Sequence, residues 1–114
     1  MKHDETRIQE LVVRYLRVAY PTALFCASAG GVRTSMKQAL VMKRTGYVRG
    51  FPDLAIYEPR NGKHGLFLEI KTEKGVASEF QKDWQTNLIA RGYEAKICKG
   101  FEATINAIDE YFRP

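Results

Sequence analysis

The sequence predicts an α/β domain in which a mixed central sheet is flanked by helices. Three observations carry this. Segments of helical and strand periodicity alternate in the order α, β, α, β, β, α, β, α. An Asn-Gly pair sits between two apolar runs, a strong hairpin signal. At 114 residues and 13.0 kDa the chain has room for one core, so residues 1–114 are expected to form a single domain.

The elements follow in order. Thr6-x-x-Gln9 can close a capping box, after which Ile8, Leu11, Val12, Tyr15, Leu16 and Ala19 fall on one helical stripe that Pro21 ends. Ala23 to Ser28 is short, apolar and followed by Gly30-Gly31, which predicts a buried strand running into a turn. Ser35 is placed to cap a short basic helix reaching about Arg44, with Gly46 as its stop. Leu54 to Tyr57 and Leu66 to Ile70 read as antiparallel strands joined through Asn61-Gly62. Ser78-x-x-Gln81 opens a helix whose Trp84 and Leu88 share a face and which stops before Gly92. Tyr93 to Cys98 is a further strand, and Phe101, Thr104, Ile105, Ile108 and Phe112 mark a terminal amphipathic helix.

Hydrophobic residues make up 45% of the chain, a globular composition. No apolar run approaches the ~20 residues needed to span a bilayer, and no signal-like stretch follows Met1. A soluble, cytoplasmic protein is therefore expected. Cys26 and Cys98 lie far apart within apolar segments, without Cys-x-x-Cys spacing, and are read as buried free thiols. The net charge of +5 is unevenly spread: Leu11 to Pro52 contains no acidic residue but seven basic ones, while the remainder carries 11 basic and 13 acidic groups. Such segregation suits a polyanion, because each phosphate neutralised releases condensed counterions. It is equally compatible with a solvated face that keeps the protein soluble.

The chemistry concentrates in Asp53, Glu69 and Lys71. Asp53 and Glu69 are equidistant from residue 61, inside the turn, so hairpin pairing brings them within roughly 4.5 to 8 Å of each other. The side-chain period of two puts Lys71 on the face of Glu69 and turns Leu66, Leu68 and Ile70 to the opposite side. Two unscreened carboxylates at this distance repel, and one is driven toward protonation unless a divalent cation touches both. Alternatively these are ordinary solvated charges, with Lys71 simply pairing with Glu69. His3 and His64 fall on a terminus and a turn, and Trp84 and the other aromatics are read as core.

A longer set of residues decides between these readings. Gly50-Phe51-Pro52-Asp53-Leu54, Gly65-Leu66-Phe67-Leu68-Glu69-Ile70-Lys71 and Gly75-Val76-Ala77-Ser78-x-x-Gln81-x-x-Trp84, with Leu88 and Gly92-Tyr93 beyond, resemble the VRR-NUC family of the PD-(D/E)XK nucleases. The resemblance extends upstream through Glu5-x-x-Ile8-Gln9, Pro21-x-Ala23-Leu24-Phe25, Gly30-Gly31-x-Arg33 and Lys43-x-x-Gly46, and so covers nearly the whole chain. It departs at Ala29, where relatives often carry Asn. The family implies a restriction-endonuclease-like core and a stand-alone member of the bacterial or phage type, several of which cut four-way DNA junctions as homodimers.

The resemblance also implies roles. Mg²⁺ or Mn²⁺ would be held by Asp53, Glu69 and the backbone carbonyl of Ile70, all hard oxygen donors. Lys71 would orient or help deprotonate the attacking water. A glutamate on the first helix commonly completes such sites. Glu5 falls within about 40° of the centre of the apolar stripe whereas Glu10 lies nearly opposite, so Glu5 is the expected carboxylate and Glu10 a solvent-facing partner of Arg14. Glu5 could instead be no more than a favourable acid near a helix N-terminus. Gln81 either holds phosphate or Lys71, or only closes the capping box of Ser78. Arg33, Lys37, Lys43, Arg44, Arg49 and Lys74 are expected as a group to contact DNA. A metal-dependent structure-selective DNA endonuclease leads. Its rivals are a non-catalytic DNA-binding module and a flap, nicking or restriction-type nuclease of the same superfamily.

Overall fold

The computed structural model describes residues 2–28 and 35–114. Helix α1 (Lys2–Ala19) is followed by β1 (Phe25–Ala27), α2 (Met36–Arg44), β2 (Leu54–Ile56), β3 (Leu66–Lys71), α3 (Glu79–Ala90), β4 (Glu94–Lys99) and α4 (Phe101–Phe112). The four strands form one mixed sheet in the order β1-β2-β3-β4, with β1–β2 and β2–β3 antiparallel and β3–β4 parallel. The parallel pair needs a crossover, and α3 supplies it.

Helices cover both faces. Against one face lie Val12 and Leu16 of α1 with Ile108, Tyr111 and Phe112 of α4, packed on Leu54, Ile56, Leu66, Leu68 and Ile70. On the other face, Leu88 of α3 joins Ala55, Phe67 and Ala95, with Phe51, Trp84 and Tyr93 around them. The central strand β3 is buried along its whole length because both faces are occupied. Tyr15 and Tyr20 each donate a hydrogen bond of 2.6 Å to the Asp109 carboxylate, tying α1 to α4. Burial and that carboxylate push the Tyr20 phenol up to about 12.

Several expectations hold in detail. Asn61 and Gly62 both have positive φ, 51° and 78°, and Arg60 and Lys63 bridge across them, the backbone a two-residue type I′ hairpin requires. Beyond the turn the strands pair Leu54 opposite Leu68 and Ile56 opposite Leu66, one residue out of step with the Arg60–Lys63 bridge, so an extra residue is taken up between turn and sheet. Ser35 and Ser78 both close capping boxes, with Gln38 and Gln81. Four expectations are corrected. Helix α1 starts at Lys2, so Thr6 lies inside it and caps nothing; Asp4 and Glu5 supply a favourable acidic first turn instead. Ala19, assigned to the apolar stripe, is exposed in the last turn. Strand β1 is an edge strand, half-buried at Phe25 and exposed at Cys26 and Ala27. Cys26 is accordingly an exposed thiol, whereas Cys98 is buried as expected.

Helix α2 buries none of its residues. Its orientation owes nothing to core packing, and Met36 and Leu40 stay 86% and 60% exposed. The segment after it is tightly fixed. Gly50 has φ +90°, and a Cβ there would come within 2.7 Å of the Phe80 backbone at the start of α3. A Gly50→Ala substitution combines positive-φ strain with this clash, and should lower the urea unfolding free energy by more than about 2 kcal/mol. Among the described residues no helix is long and apolar enough to cross a membrane.

Candidate active site

The β2–β3 pairing ends at Leu54 opposite Leu68, and Asp53 immediately before it lies beside the Glu69–Ile70 end of β3. The Asp53 amide donates to the Leu68 carbonyl at 2.9 Å, and its own carbonyl accepts from the Ser28 amide at 2.9 Å. The Asp53 carboxylate is fixed in turn by the Ile70 amide, which donates to Oδ2 at 2.7 Å. Sheet pairing thus holds Asp53 in place without a regular strand at that residue.

Glu69 is 6% exposed and Lys71 9%, on the face of β3 that also carries Phe67. Gln81 Nε2 donates to Glu69 Oε2 at 2.9 Å, and the Lys71 ammonium lies 3.6 Å from the same oxygen. Glu69 Oε1 is buried and receives no donor while both carboxylates are ionised; once protonated, Glu69 has the Asp53 carboxylate as its hydrogen-bond partner. Burial, reinforced by the Asp53 charge and opposed by Lys71, pushes the Glu69 carboxyl up to about 8. Lys71 owes its enclosure partly to the turn that follows: a Cβ on Gly75 would lie 3.1 Å from the Lys71 Cβ.

These groups open into a cleft of about 630 Å³. Its walls are the first turns of α1, the end of β1, the segment 47–53 and the start of α3. Both Glu5 and Glu10 line it, with Gln9 between them. Glu5 is half-buried, while Glu10 is exposed and pairs at 3.2 Å with Arg7, not with Arg14 as expected. The i, i−3 neighbour lies on the same helix face and takes the carboxylate first. Among the described residues no three His, Cys, Asp or Glu side chains come close enough to hold a metal together. The set that could hold one is Asp53 and Glu69 with a backbone carbonyl such as that of Ile70 between them. The donors fit: hard oxygens, one an orphaned buried carboxylate atom, are what a small divalent cation takes.

Gln81 resolves both of its alternatives in an unexpected way. Its Oε1 accepts from the Ser78 amide at 2.8 Å, closing the cap, while its Nε2 holds Glu69 rather than Lys71. The side-chain amide therefore couples the helix start to the buried carboxylate. Tyr47 escaped the sequence reading altogether. It lines the cleft, and burial with the nearby Glu69 and Asp53 charges raises its phenol above 10. No spacing rule announces it, because it lies on an irregular segment.

Of the five cations expected to meet DNA that fall among the described residues, Arg49 alone lines the cleft, and its guanidinium lies 4.4 Å from the centroid of the Phe80 ring. Lys37, Lys43 and Arg44 are exposed on α2, and Lys74 is exposed in the turn after β3. Arg33 lies outside the described residues, as do Ala29 and Gly30-Gly31.

Comparison with known proteins bears on this arrangement. The model of the VRR-NUC domain family matches residues 3–102, a span that includes every site residue from Glu5 to Gln81. Among solved structures, one described as a VRR-NUC domain protein is similar with a TM-score of 0.80 at 28% identity, over 95% of this chain and 87% of that one. A second, described as a VRR-NUC domain, has a TM-score of 0.63 at 19% identity, over 95% and 97% of the two chains, and shares the fold. No curated protein matches.

Proposed function

The chain belongs to the VRR-NUC domain family, a nuclease-type domain, and from that premise we propose that it is a metal-dependent DNA endonuclease selective for branched DNA such as four-way junctions. The observation that carries the reading is the buried Glu69 carboxylate close beside that of Asp53, both lining an open cleft, with one Glu69 oxygen receiving no donor. The Gln81 amide and the Lys71 ammonium both go to Oε2, and a second buried carboxylate oxygen without a donor beside Asp53 costs stability unless a cation offsets it.

Asp53, Glu69 and the Ile70 carbonyl would hold Mg²⁺ or Mn²⁺, with Glu5 as a further carboxylate on the cleft wall. Such an ion supplies Lewis-acid stabilisation of the charge that develops on a scissile phosphate. The protein's own residues do the positioning. The Lys71 ammonium, enclosed beside Glu69, orients the attacking water and offers a donor to a phosphate oxygen. Gln81 holds Glu69 through Oε2 and so fixes the carboxylate beside Asp53. Arg49 at the rim, with Lys37, Lys43, Arg44 and Lys74 further out, attracts the strands by charge, and Arg33 adds a further positive charge to the chain.

Labelled four-way junctions, flaps and linear duplexes incubated in Mg²⁺ or Mn²⁺ test this. Junction cleavage that EDTA abolishes is the expected result. Discrete cuts in linear duplex alone would identify a restriction-type enzyme, and salt-sensitive binding without turnover a non-catalytic module. Because cutting two strands of a symmetric junction needs two sites, the active species is a homodimer. Sedimentation should show it at working concentration, and a monomer that still cuts would point to nicking or flap activity.

A further inference from the structure

A second concavity, of about 480 Å³, adjoins the cleft between α3 and the segment before Gly50. Arg49 lines both. Val48 and Phe80 form opposite walls and are 57% and 47% exposed, unusual for large apolar side chains on the same concave surface. Trp84 lies at its base and donates from Nε1 to the Arg49 carbonyl at 3.0 Å, which fixes the backbone from which the guanidinium reaches over Phe80. The close approach of Gly50 to Phe80 locks the same geometry from the other side.

The lining selects among ligands. An exposed aromatic ring with a guanidinium already stacked on it offers flat, polarisable surface that takes the π-face of a nucleobase irrespective of its sequence. Asp83 also lines the groove, and its carboxylate is the wrong sign for a phosphate. A nucleotide therefore enters base first, leaving its phosphate toward Arg49 and the cleft. A base within a duplex cannot do this, because its faces are covered by its neighbours.

We propose that this groove binds an unstacked nucleobase next to the phosphate held in the cleft, so that DNA with an unpaired nucleotide at that position is preferred over continuous duplex. The inference rests on the nuclease reading and deepens it by naming the substrate feature that the Arg49 and Phe80 pair selects. It requires no cleavage to be observed.

The test titrates the metal-free protein in EDTA with oligothymidylate, a forked duplex and a blunt duplex, reading the emission of Trp84, the chain's single tryptophan. Quenching by oligothymidylate and the fork, and little by the blunt duplex, is expected. Phe80→Ala should weaken binding of the first two by roughly 10-fold, one stacked base's worth, and spare the blunt duplex. Phe80→Tyr should restore it, and Val48→Ser, on the opposite wall, should weaken the same two ligands. Equal effects on all three ligands, or none, would overturn the proposal. So would a shift of Phe80→Ala from dimer to monomer with single-strand affinity unchanged, which would assign the patch to a second copy of the chain. If instead the junction panel shows no cleavage while the quenching pattern holds, it is the nuclease reading that fails.

Discussion

Glu69→Gln should reduce cleavage of a preferred substrate by on the order of 10³-fold while making the metal-free protein more stable at alkaline pH. The two effects have one cause. The carboxylate is buried beside Asp53, so its charge is costly without a cation and useful only when a cation neutralises it. An amide of the same shape removes the charge, keeps an acceptor for Gln81 Nε2 and has a donor to offer Asp53. The gain in unfolding free energy at pH 9 is roughly 1–3 kcal/mol. Lys71→Ala should cost comparable activity with the opposite effect on the fold, because the cation 3.6 Å from Glu69 offsets part of that charge. Single-turnover cleavage rates and thermal melts at pH 6 and pH 9 separate these variants. Retained cleavage by Glu69→Gln, or a lower melting temperature than the parent at pH 9, would contradict the assignment.

Much of this site was legible before any coordinates, and the reason is local. The near-symmetric placement of Asp53 and Glu69 about Asn61-Gly62 announces that the hairpin brings them together, but the one-residue shift between the Arg60–Lys63 bridge and the Leu54–Leu68 pair has no signature in spacing. Ser78 and Gln81 satisfy each other within one helical turn, which makes the start of α3 readable too. What failed depended on distant neighbours. The apolar run around Cys26 looks like a buried strand, and only the strand order reveals that it lies at the edge. Gln81's second bond, to Glu69, follows from how α3 crosses the sheet and has no signature in spacing. Tyr47 and the half-exposed Phe80 were hidden for the same reason: one sits on an irregular segment, and the other carries an aromatic side chain that composition assigns to the core.

Stability and metal affinity should respond to pH in opposite directions, through the same carboxyl. In the metal-free fold Glu69 titrates at about 8, against 4.5 as its ordinary value. Between these limits the folded protein binds more protons than the unfolded chain, so the contribution of this group to stability is full below pH 4.5 and is lost as the pH rises to about 8. A divalent cation binds the ionised form. Its affinity should therefore rise across that window, and binding at pH 7 should release about one proton. Calorimetric titration of Mn²⁺ in buffers of different ionisation enthalpy measures that release, and melts across pH measure the slope. Glu69→Gln should abolish both. Asp53→Asn separates the two causes of the shift: burial remains while the neighbouring charge goes, so the pH at which stability stops falling should move downward. An unchanged window in Asp53→Asn would mean that burial alone sets the Glu69 titration. Proton-free Mn²⁺ binding by the parent protein at pH 7 would remove Glu69 from the metal site.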